Sequence, residues 1–437
     1  MKIAIIGAGV SGVGAALALS EVADVQLFEK DGRFGGHANT VDVDYDGETI
    51  PVDTGFIVLN DRNYPNLTAL FDHLGVATEE SDMSFSISLD QGRLEYACDD
   101  LDRVFAQRWR AMDPRYLWSF REILRFNKEA KAALASGALD GLTLGEFLQK
   151  RGFGRYFREN FLYGMGGAIW STPSAEMSAF PARGFVQFFS NHALLSGFGR
   201  VITWRTVSGG SREYVRRALQ ALGPRAQAGV GASAVTRRAD GKVEISFDDG
   251  SSGVFDHAVL ACHSDQSLRL LADADTEERA VLGDVRYGEN VAVLHRDPSL
   301  MPKLRKVWSS WNFLSESGEG ARKPAVSYWM NRLQNIDRAR PLFVTLNPPV
   351  EPDPALTFGR YQYAHPQFDT AAFAAQDNLD RIQGRGGVWY AGAWTGWGFH
   401  EDGLRSGLRV AAAFGARPSW LRDLGAGPAP GLAMAAE

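Results

Sequence analysis

Lys2 to Ile6 is almost unbroken apolar chain, the pattern of a parallel strand buried on both faces. Gly14, Ala15, Ala16, Leu17 and Leu19 follow and predict a helix lying close on that strand. Val25 to Phe28 then predicts a second buried strand. Far along the chain the same logic predicts a loop and helix in SGGSREYVRRAL, starting at Ser208, and strands at Val230 to Val235, Val243 to Phe247, Ala258 to Cys262 and Val388 to Tyr390. Asp113-Pro114 is a cap followed by an N1 proline. The helix it opens is predicted to gather Tyr116, Leu117, Phe120, Ile123 and Leu124 on one side, with Arg115, Arg121, Arg125, Lys128 and Trp118 on the other. FLYGMGGAIWSTP (161–173), FPARGFVQFFSNHALL (180–195), KVWSSWNF (306–313) and VSYWMN (326–331) are aromatic, apolar runs with few charges. They read first as plain core and, as the alternative, as the lining of a greasy tunnel.

The chain has 437 residues, enough for two domains, or for one large domain with an insertion. A net charge of -6, without any Lys/Arg block, excludes nucleic acid as a partner. Cys98 and Cys262 are the only cysteines, too few for a disulfide framework or a Cys-based metal site, so no metal is expected and a reducing cytoplasm suits the chain. MKIAIIGAGV is too short and too glycine-broken for a signal peptide, and no apolar run is long enough to span a membrane. The Ala/Gly/Pro-rich end, 418–437, is expected to be disordered.

Between the first strand and its helix stands GAGVSG: Gly7, Gly9, Ser11 and Gly12 make a G-x-G-x-x-G turn, and Glu29 closes the second strand. Strand, glycines, helix, strand and terminal acid, all between Lys2 and Glu29, are the pattern of a dinucleotide site, with pyrophosphate on the helix N-terminus and the acid on a ribose. Arg33-Phe34-Gly35-Gly36-His37 comes next, and Asp53-Thr54-Gly55 after it. On these motifs the chain resembles the flavin-containing amine oxidoreductase superfamily. The resemblance implies an α/β fold: a Rossmann-like FAD-binding domain of the amine-oxidase type, with an inserted α+β substrate domain.

It further implies a discontinuous FAD domain from 1–70, 195–270 and 385–417, a substrate domain from 71–194 and 271–384, and non-covalent FAD. The expected cofactor contacts are Gly7, Gly9, Ser11, Gly12, Glu29, Lys30, Arg33, Gly35, Gly36, His37, Asp53, Thr54, Gly55 and Val230. Near the C-terminus they continue with Gly392, Trp394, Glu401, Asp402 and Gly403, where a helix starting near Glu401 is expected to aim its positive end at the flavin. Two departures stand out: His37 where relatives often have arginine, and Ala393 where many have an acid. AGVGASAV (228–235) imitates a second dinucleotide motif but lacks a leading apolar strand, and reads as an ordinary turn and strand.

For the chemistry, amine oxidases of the superfamily commonly carry a lysine near the flavin and a tyrosine from the C-terminal motif. The comparable strand here, ENVAVLHRD, offers Glu289, Asn290 and His295 and no lysine, and Phe399 stands in place of the tyrosine. The chain is more similar to a bacterial branch of FAD-dependent oxidoreductases linked to cyclopropane and furan fatty-acid synthesis, through phrases such as VDTGFIVLN, SDMSFSIS, WSTP, FFSNHALL, HPQFD and GFHEDGLRSGL. That implies removal of an allylic hydride from a methylated unsaturated acyl chain of a phospholipid to give a diene, with a lipid methyltransferase as functional partner. Trp397 and Phe399 are the expected substrate wall, and His365 and His400 the expected proton-handling residues, with His295 a third candidate and Tyr361 and Tyr363 nearby. The alternatives are oxidation of an amine or other small molecule, and a non-catalytic flavin-binding partner of the methyltransferase. The basic helix after Asp113, with RVFAQRWR before it, is either a solvated face or a peripheral membrane contact.

Overall fold

The computed structural model describes residues 1–170, 176–191, 195, 202–316 and 324–425. Two of the singled-out phrases, WSTP and FFSNHALL, run into 171–175 and 192–194, and the tail beyond 425 likewise lies outside the described residues.

The apolar segments Lys2–Ile6 and Asp24–Glu29 lie side by side in a five-stranded parallel sheet, in the order Ala226–Ala228, Asp24–Glu29, Lys2–Ile6, His257–Leu260, Val388–Tyr390. Strands from opposite ends of the chain thus share one hydrogen-bonded layer. The helix Val10–Leu19 covers it and packs in turn on His400–Ala413 and Arg212–Leu222. The approach of the first pair is close because Gly407 lacks a side chain: a Cβ there would lie 2.3 Å from the Ser11 carbonyl oxygen. A three-stranded antiparallel sheet, Ala232–Arg237, Val243–Phe247 and Ser252–Phe255, is inserted in the chain between the core strands Ala226–Ala228 and His257–Leu260.

A second, seven-stranded sheet runs in the order Thr357–Gln367, Arg286–His295, Phe343–Leu346, Ala325–Trp329, Trp311–Ser315, Phe85–Leu89, Leu94–Ala97. It is antiparallel except where Trp311–Ser315 pairs parallel with Phe85–Leu89. The helices Pro114–Ala135, Leu144–Lys150 and Ala182–Asn191 share its core, in which Tyr116, Phe126, Phe147, Phe157 and Phe185 are almost fully buried. Most of the aromatic runs therefore are core; Met165, Phe188, Trp311 and Tyr328 reach a cavity described below.

Two expectations are corrected. Leu117 and Leu124, expected on the side opposite Arg121 and Lys128, are exposed with them, at 44% and 61%, because Tyr116, Ser119, Glu122 and Phe126 take the inward positions of Pro114–Ala135. The start of the supposed disordered tail is packed: Trp420 is buried, and the amides of Arg422 and Asp423 donate to Asn66 Oδ1 at 2.9 and 3.0 Å. Composition assigned 418–425 wrongly because one large aromatic anchor outweighs the flexible residues beside it. No helix among the described residues is long and apolar enough to cross a membrane.

Candidate active site

The carboxyl ends of all five parallel strands open on one cavity of ≈ 1240 Å³. Gly7 follows the first strand, Glu29 and Lys30 end the second, and Val230 follows the Ala226–Ala228 strand. Ala261, Cys262 and His263 follow His257–Leu260, while Gly392, Ala393 and Trp394 follow Val388–Tyr390. This is the edge where open parallel sheets hold ligands. Gly9 caps the helix Val10–Leu19 with no side-chain hydrogen bond and no acid in the first turn, so the free N–H groups are left for a ligand. A Cβ on Gly9 would meet nothing within 4 Å, so cavity lies directly before it. Behind it, a Cβ on Gly12 would fall 1.9 Å from the Gly7 carbonyl oxygen, so only glycine lets helix and strand meet there.

Glu29 is held at the rim by two backbone amides, Ala8 N on Oε2 at 2.9 Å and Asp31 N on Oε1 at 3.0 Å. Ser11, Gly36, His37, Thr54 and Gly55 line the same space. Trp394 also lines it, its indole N–H fixed on the Cys262 carbonyl at 3.2 Å, and Gly392 N donates to Ser406 Oγ at 2.9 Å.

Several expected cofactor contacts are engaged elsewhere. Asp53 is fully buried and accepts hydrogen bonds from Thr40 Oγ1 (2.6 Å), Ser211 N (2.9 Å) and Oγ (2.7 Å), and Gln334 Nε2 (3.0 Å). It pins the start of helix Arg212–Leu222, and burial pushes its carboxyl up to about 6. Glu401 accepts from Asn66 N (3.1 Å), Asn66 Nδ2 (2.7 Å) and Leu67 N (3.0 Å), capping the helix Pro65–Leu74; burial raises it to about 7. Asp402 accepts from Trp397 N and Phe399 N, both at 3.0 Å, and caps its own helix, which begins at His400, next to Glu401 as expected. Gly403 serves helix packing, since a Cβ there would touch Val10 and Ser11 at 2.8 and 2.9 Å. Arg33 is exposed and reaches the Gly36 carbonyl at 2.8 Å, and Gly35 N donates to the Ala8 carbonyl at 2.9 Å. Acids and glycines of these types look alike in sequence whether they hold a cofactor or a helix end.

The histidines separate cleanly. His295 is buried in the second sheet, with Nε2 on Thr345 Oγ1 at 2.8 Å and Nδ1 accepting from Asp297 N at 3.2 Å, away from the cavity. His37, His365 and His400 all line the cavity, and burial is the chief cause that lowers each, His365 to about 4 and His400 to about 3. All three rings are neutral at pH 7. The Nε2 atoms of His37 and His400 are buried without a hydrogen-bond partner, and His400 stacks on Phe56 at 3.8 Å.

For His365 the surrounding hydrogen bonds fix the tautomer. The backbone amide of Val291 can only donate, so the Asn347 atom 3.0 Å away is its oxygen, Oδ1. Asn347 Nδ2 then donates to Asn290 Oδ1 at 2.7 Å. Asn290 Nδ2 donates to the Gly288 carbonyl and to His365 Nδ1, each at 3.0 Å. His365 Nδ1 is thereby an acceptor, and the ring carries its proton on Nε2. It presents a donor and cannot serve as a base through its occupied nitrogen.

Past the histidines the cavity becomes aromatic. Phe399 stacks on Phe188 at 5.3 Å, and Trp397 meets Phe373 edge-on at 5.5 Å. Tyr363 lines the cavity, its hydroxyl bonded to Thr54 Oγ1 (2.8 Å) and Asn39 Nδ2 (3.0 Å), while Tyr361 does not reach the lining. Glu80, Asp82, Asp99 and Arg332 also line the cavity, Glu80 and Asp99 on its exposed side, and the arginine is bonded to Asp82 at 2.6 Å. Sequence reasoning missed Asn290 and Asn347 as relays, Arg332, and the pair His263–Tyr287, whose rings stack at 4.3 Å. Only His263 carried a signal, its place at the carboxyl end of a core strand.

A family model described as flavin containing amine oxidoreductase matches residues 10–329. No curated protein matches the chain in sequence. Among solved structures, putrescine oxidase bound to putrescine is similar at 17% identity, with 95% of this chain and 100% of that one covered and a TM-score of 0.69. The CLA-producing fatty acid isomerase from P. acnes matches at 17% identity, covering 94% and 98%, with a TM-score of 0.68. Cyclohexylamine oxidase from Brevibacterium oxydans IH-35A matches at 17% identity, covering 94% and 98%, with a TM-score of 0.64. At such identities the likeness is one of fold.

Proposed function

Because the chain belongs to the flavin-containing amine oxidoreductase family, and is a flavin-dependent oxidoreductase on that ground, we propose that it holds FAD non-covalently and removes an allylic hydride from a methylated, unsaturated acyl chain of a phospholipid. A proton leaves the neighbouring carbon and a conjugated diene results. The residues present fit the cofactor: the uncapped helix end at Gly9 suits a pyrophosphate, Glu29 at the rim suits a ribose, and the unpartnered Nε2 atoms of His37 and His400 belong to rings that line the same cavity. Burial pushes the Cys262 thiol up to about 11, which makes it a poor nucleophile and supports non-covalent binding. When bound, FAD supplies a two-electron acceptor.

The single observation that carries the substrate reading is the aromatic part of the cavity lining. Phe56, Phe85, Phe188, Trp311, Trp397 and Phe399 wall it, and no lysine projects there from the strand Arg286–His295. These rings desolvate a hydrocarbon chain and keep water from the reacting carbon. His365 donates from Nε2, so the leaving proton requires a different acceptor, for which His400 and His37 are the candidates.

One observation favours a second reading: Glu80 lines the cavity without an ion pair among the described residues, beside the paired Asp82 and Asp99, and would attract a cation, as an amine substrate is. The two readings part in one experiment. Acyl-chain profiles of cells with and without the gene, in the presence of the methylated precursor, are compared while the purified yellow protein is titrated anaerobically with amines. Loss of a diene product on deletion supports the lipid reading; unchanged lipids together with bleaching of the flavin by amines reverse it.

A further inference from the structure

The described residues expose eleven large hydrophobic side chains, and six of them, Leu101, Trp109, Met112, Leu117, Trp118 and Leu124, fall in the single stretch from Leu101 to Leu124. Met112 is 82% exposed and Leu101 65%. The stretch is rigidly mounted: the Tyr116 hydroxyl donates to the Val104 carbonyl at 2.7 Å, and Arg110 is buried between Asp113 (3.0 Å) and the Arg93 carbonyl (2.6 Å). Along helix Pro114–Ala135, Leu117, Arg121, Leu124 and Lys128 fall at i, i+4, i+7 and i+11, a single outward stripe, with Trp118 beside it under the Arg121 guanidinium at 4.8 Å. The two acids of this helix are off the stripe. Glu122 is buried and accepts from Gly154 N at 2.7 Å, and Glu129 pairs with Arg125 at 3.4 Å. Arg115, Arg121, Lys128 and Lys131 are exposed and make no ion pair among the described residues.

We propose that this face docks the protein on an anionic phospholipid bilayer. Trp109, Met112, Leu117, Trp118 and Leu124 enter the headgroup–acyl boundary, and Arg121, Lys128 and Lys131 meet lipid phosphates. Tryptophan and leucine interleaved with unpaired cations are the chemistry of an interfacial helix. Charge complementarity selects lipid over a second copy of this chain, because a two-fold contact would press two copies of the same unpaired cationic patch together. The face also adjoins the cavity: Cys98 and Asp99 line it and are themselves exposed, Leu101 lies just beyond them in the chain, and Arg103 ion-pairs with Asp99. A docked molecule would therefore hold its entrance at the bilayer surface. The inference holds whichever substrate is oxidised.

The test is co-sedimentation of the flavin-loaded protein with vesicles of phosphatidylglycerol and phosphatidylcholine, against vesicles of phosphatidylcholine alone. Binding to the anionic vesicles, weakened by added salt, is expected. Trp118→Ser with Leu124→Ser, and separately Arg121→Glu with Lys128→Glu, should each weaken it about tenfold or more while circular dichroism and flavin absorbance stay unchanged. Equal binding of the parent to both vesicle types overturns the proposal, as does parental binding by both variants. So does a concentration-dependent dimer that the variants abolish, which would make this face an interface between copies.

Discussion

Asn290→Asp is the sharpest perturbation of the site, because it exchanges one NH2 for an oxygen at almost constant shape. In the parent, Asn290 Nδ2 lies 3.0 Å from His365 Nδ1 and donates to it. The aspartate cannot donate, so the ring must turn its proton onto Nδ1 and bare Nε2 toward the cavity. A carboxylate about 4 Å from an imidazolium, at an effective dielectric of about 20, stabilises it by about 4 kcal/mol, or about 3 pH units. The acid's own burial and its new clash with the Gly288 carbonyl, 3.0 Å from the lost donor, offset part of this. Burial, and secondarily His263, holds His365 at about 4; the variant should titrate between about 5.5 and 7. The assay is nitrogen-15 NMR of labelled histidine with a pH titration. The parent should show a neutral Nε2–H ring that does not titrate above pH about 5, and the variant an Nδ1–H ring with a new titration. The turnover profile of the variant should gain a limb in the same window. A parent ring that titrates near 6.5, or a variant ring that keeps its Nε2 proton, would refute the relay.

Gly407→Ala sets a methyl 2.3 Å from the Ser11 carbonyl and 3.1 Å from Ala15 N, forcing the two helices apart. A stability loss of about 1–3 kcal/mol is expected with less flavin retained per chain, read by thermal melts and absorbance; a parental melting temperature would contradict the packing argument. Glu401 is raised from 4.5 to about 7, so its buried acid form favours folding below pH 4.5, and that contribution, about 3 kcal/mol at most, is lost as pH rises to 7. Glu401→Gln removes this titration while weakening the cap on Pro65–Leu74. The stability gap between parent and variant should therefore be widest near pH 4.5 and narrow toward pH 7 in denaturant titrations; a gap that widens with pH would show that the three N–H donors, not burial, rule this carboxyl.

The residues whose roles were legible in the chain are those whose partners are close in sequence. Gly7, Gly9, Gly12 and Glu29 could be read together because strand, turn and helix are built by neighbours, and a helix end facing a strand's carboxyl edge follows from that local geometry alone. The burial of Lys2–Ile6 and Val388–Tyr390 was equally local, being written in unbroken apolar runs. What Asp53, Glu401 and Asp402 do was not legible, since a carboxylate that caps a helix and one that grips a hydroxyl are the same residue type. Glu401 meets Asn66 across 335 residues of chain, a distance over which no spacing rule carries information. The proton position on His365 likewise depends on Asn290 and Asn347, brought beside it by strand register. Leu117 and Leu124 were expected opposite Arg121 and Lys128 because periodicity defines a stripe but not how wide a strip of helix the core can take. Only the packing of Tyr116 and Phe126 against the second sheet decided which edge of that stripe is left facing out. The sequence by itself thus determined a dinucleotide-type strand, turn and helix through contacts between neighbours, and its class of chemistry through the family resemblance; tertiary structure alone decided which acids serve the fold, which histidine can donate, and which greasy side chains remain outside, because each of those is settled by a partner the chain reaches only after folding.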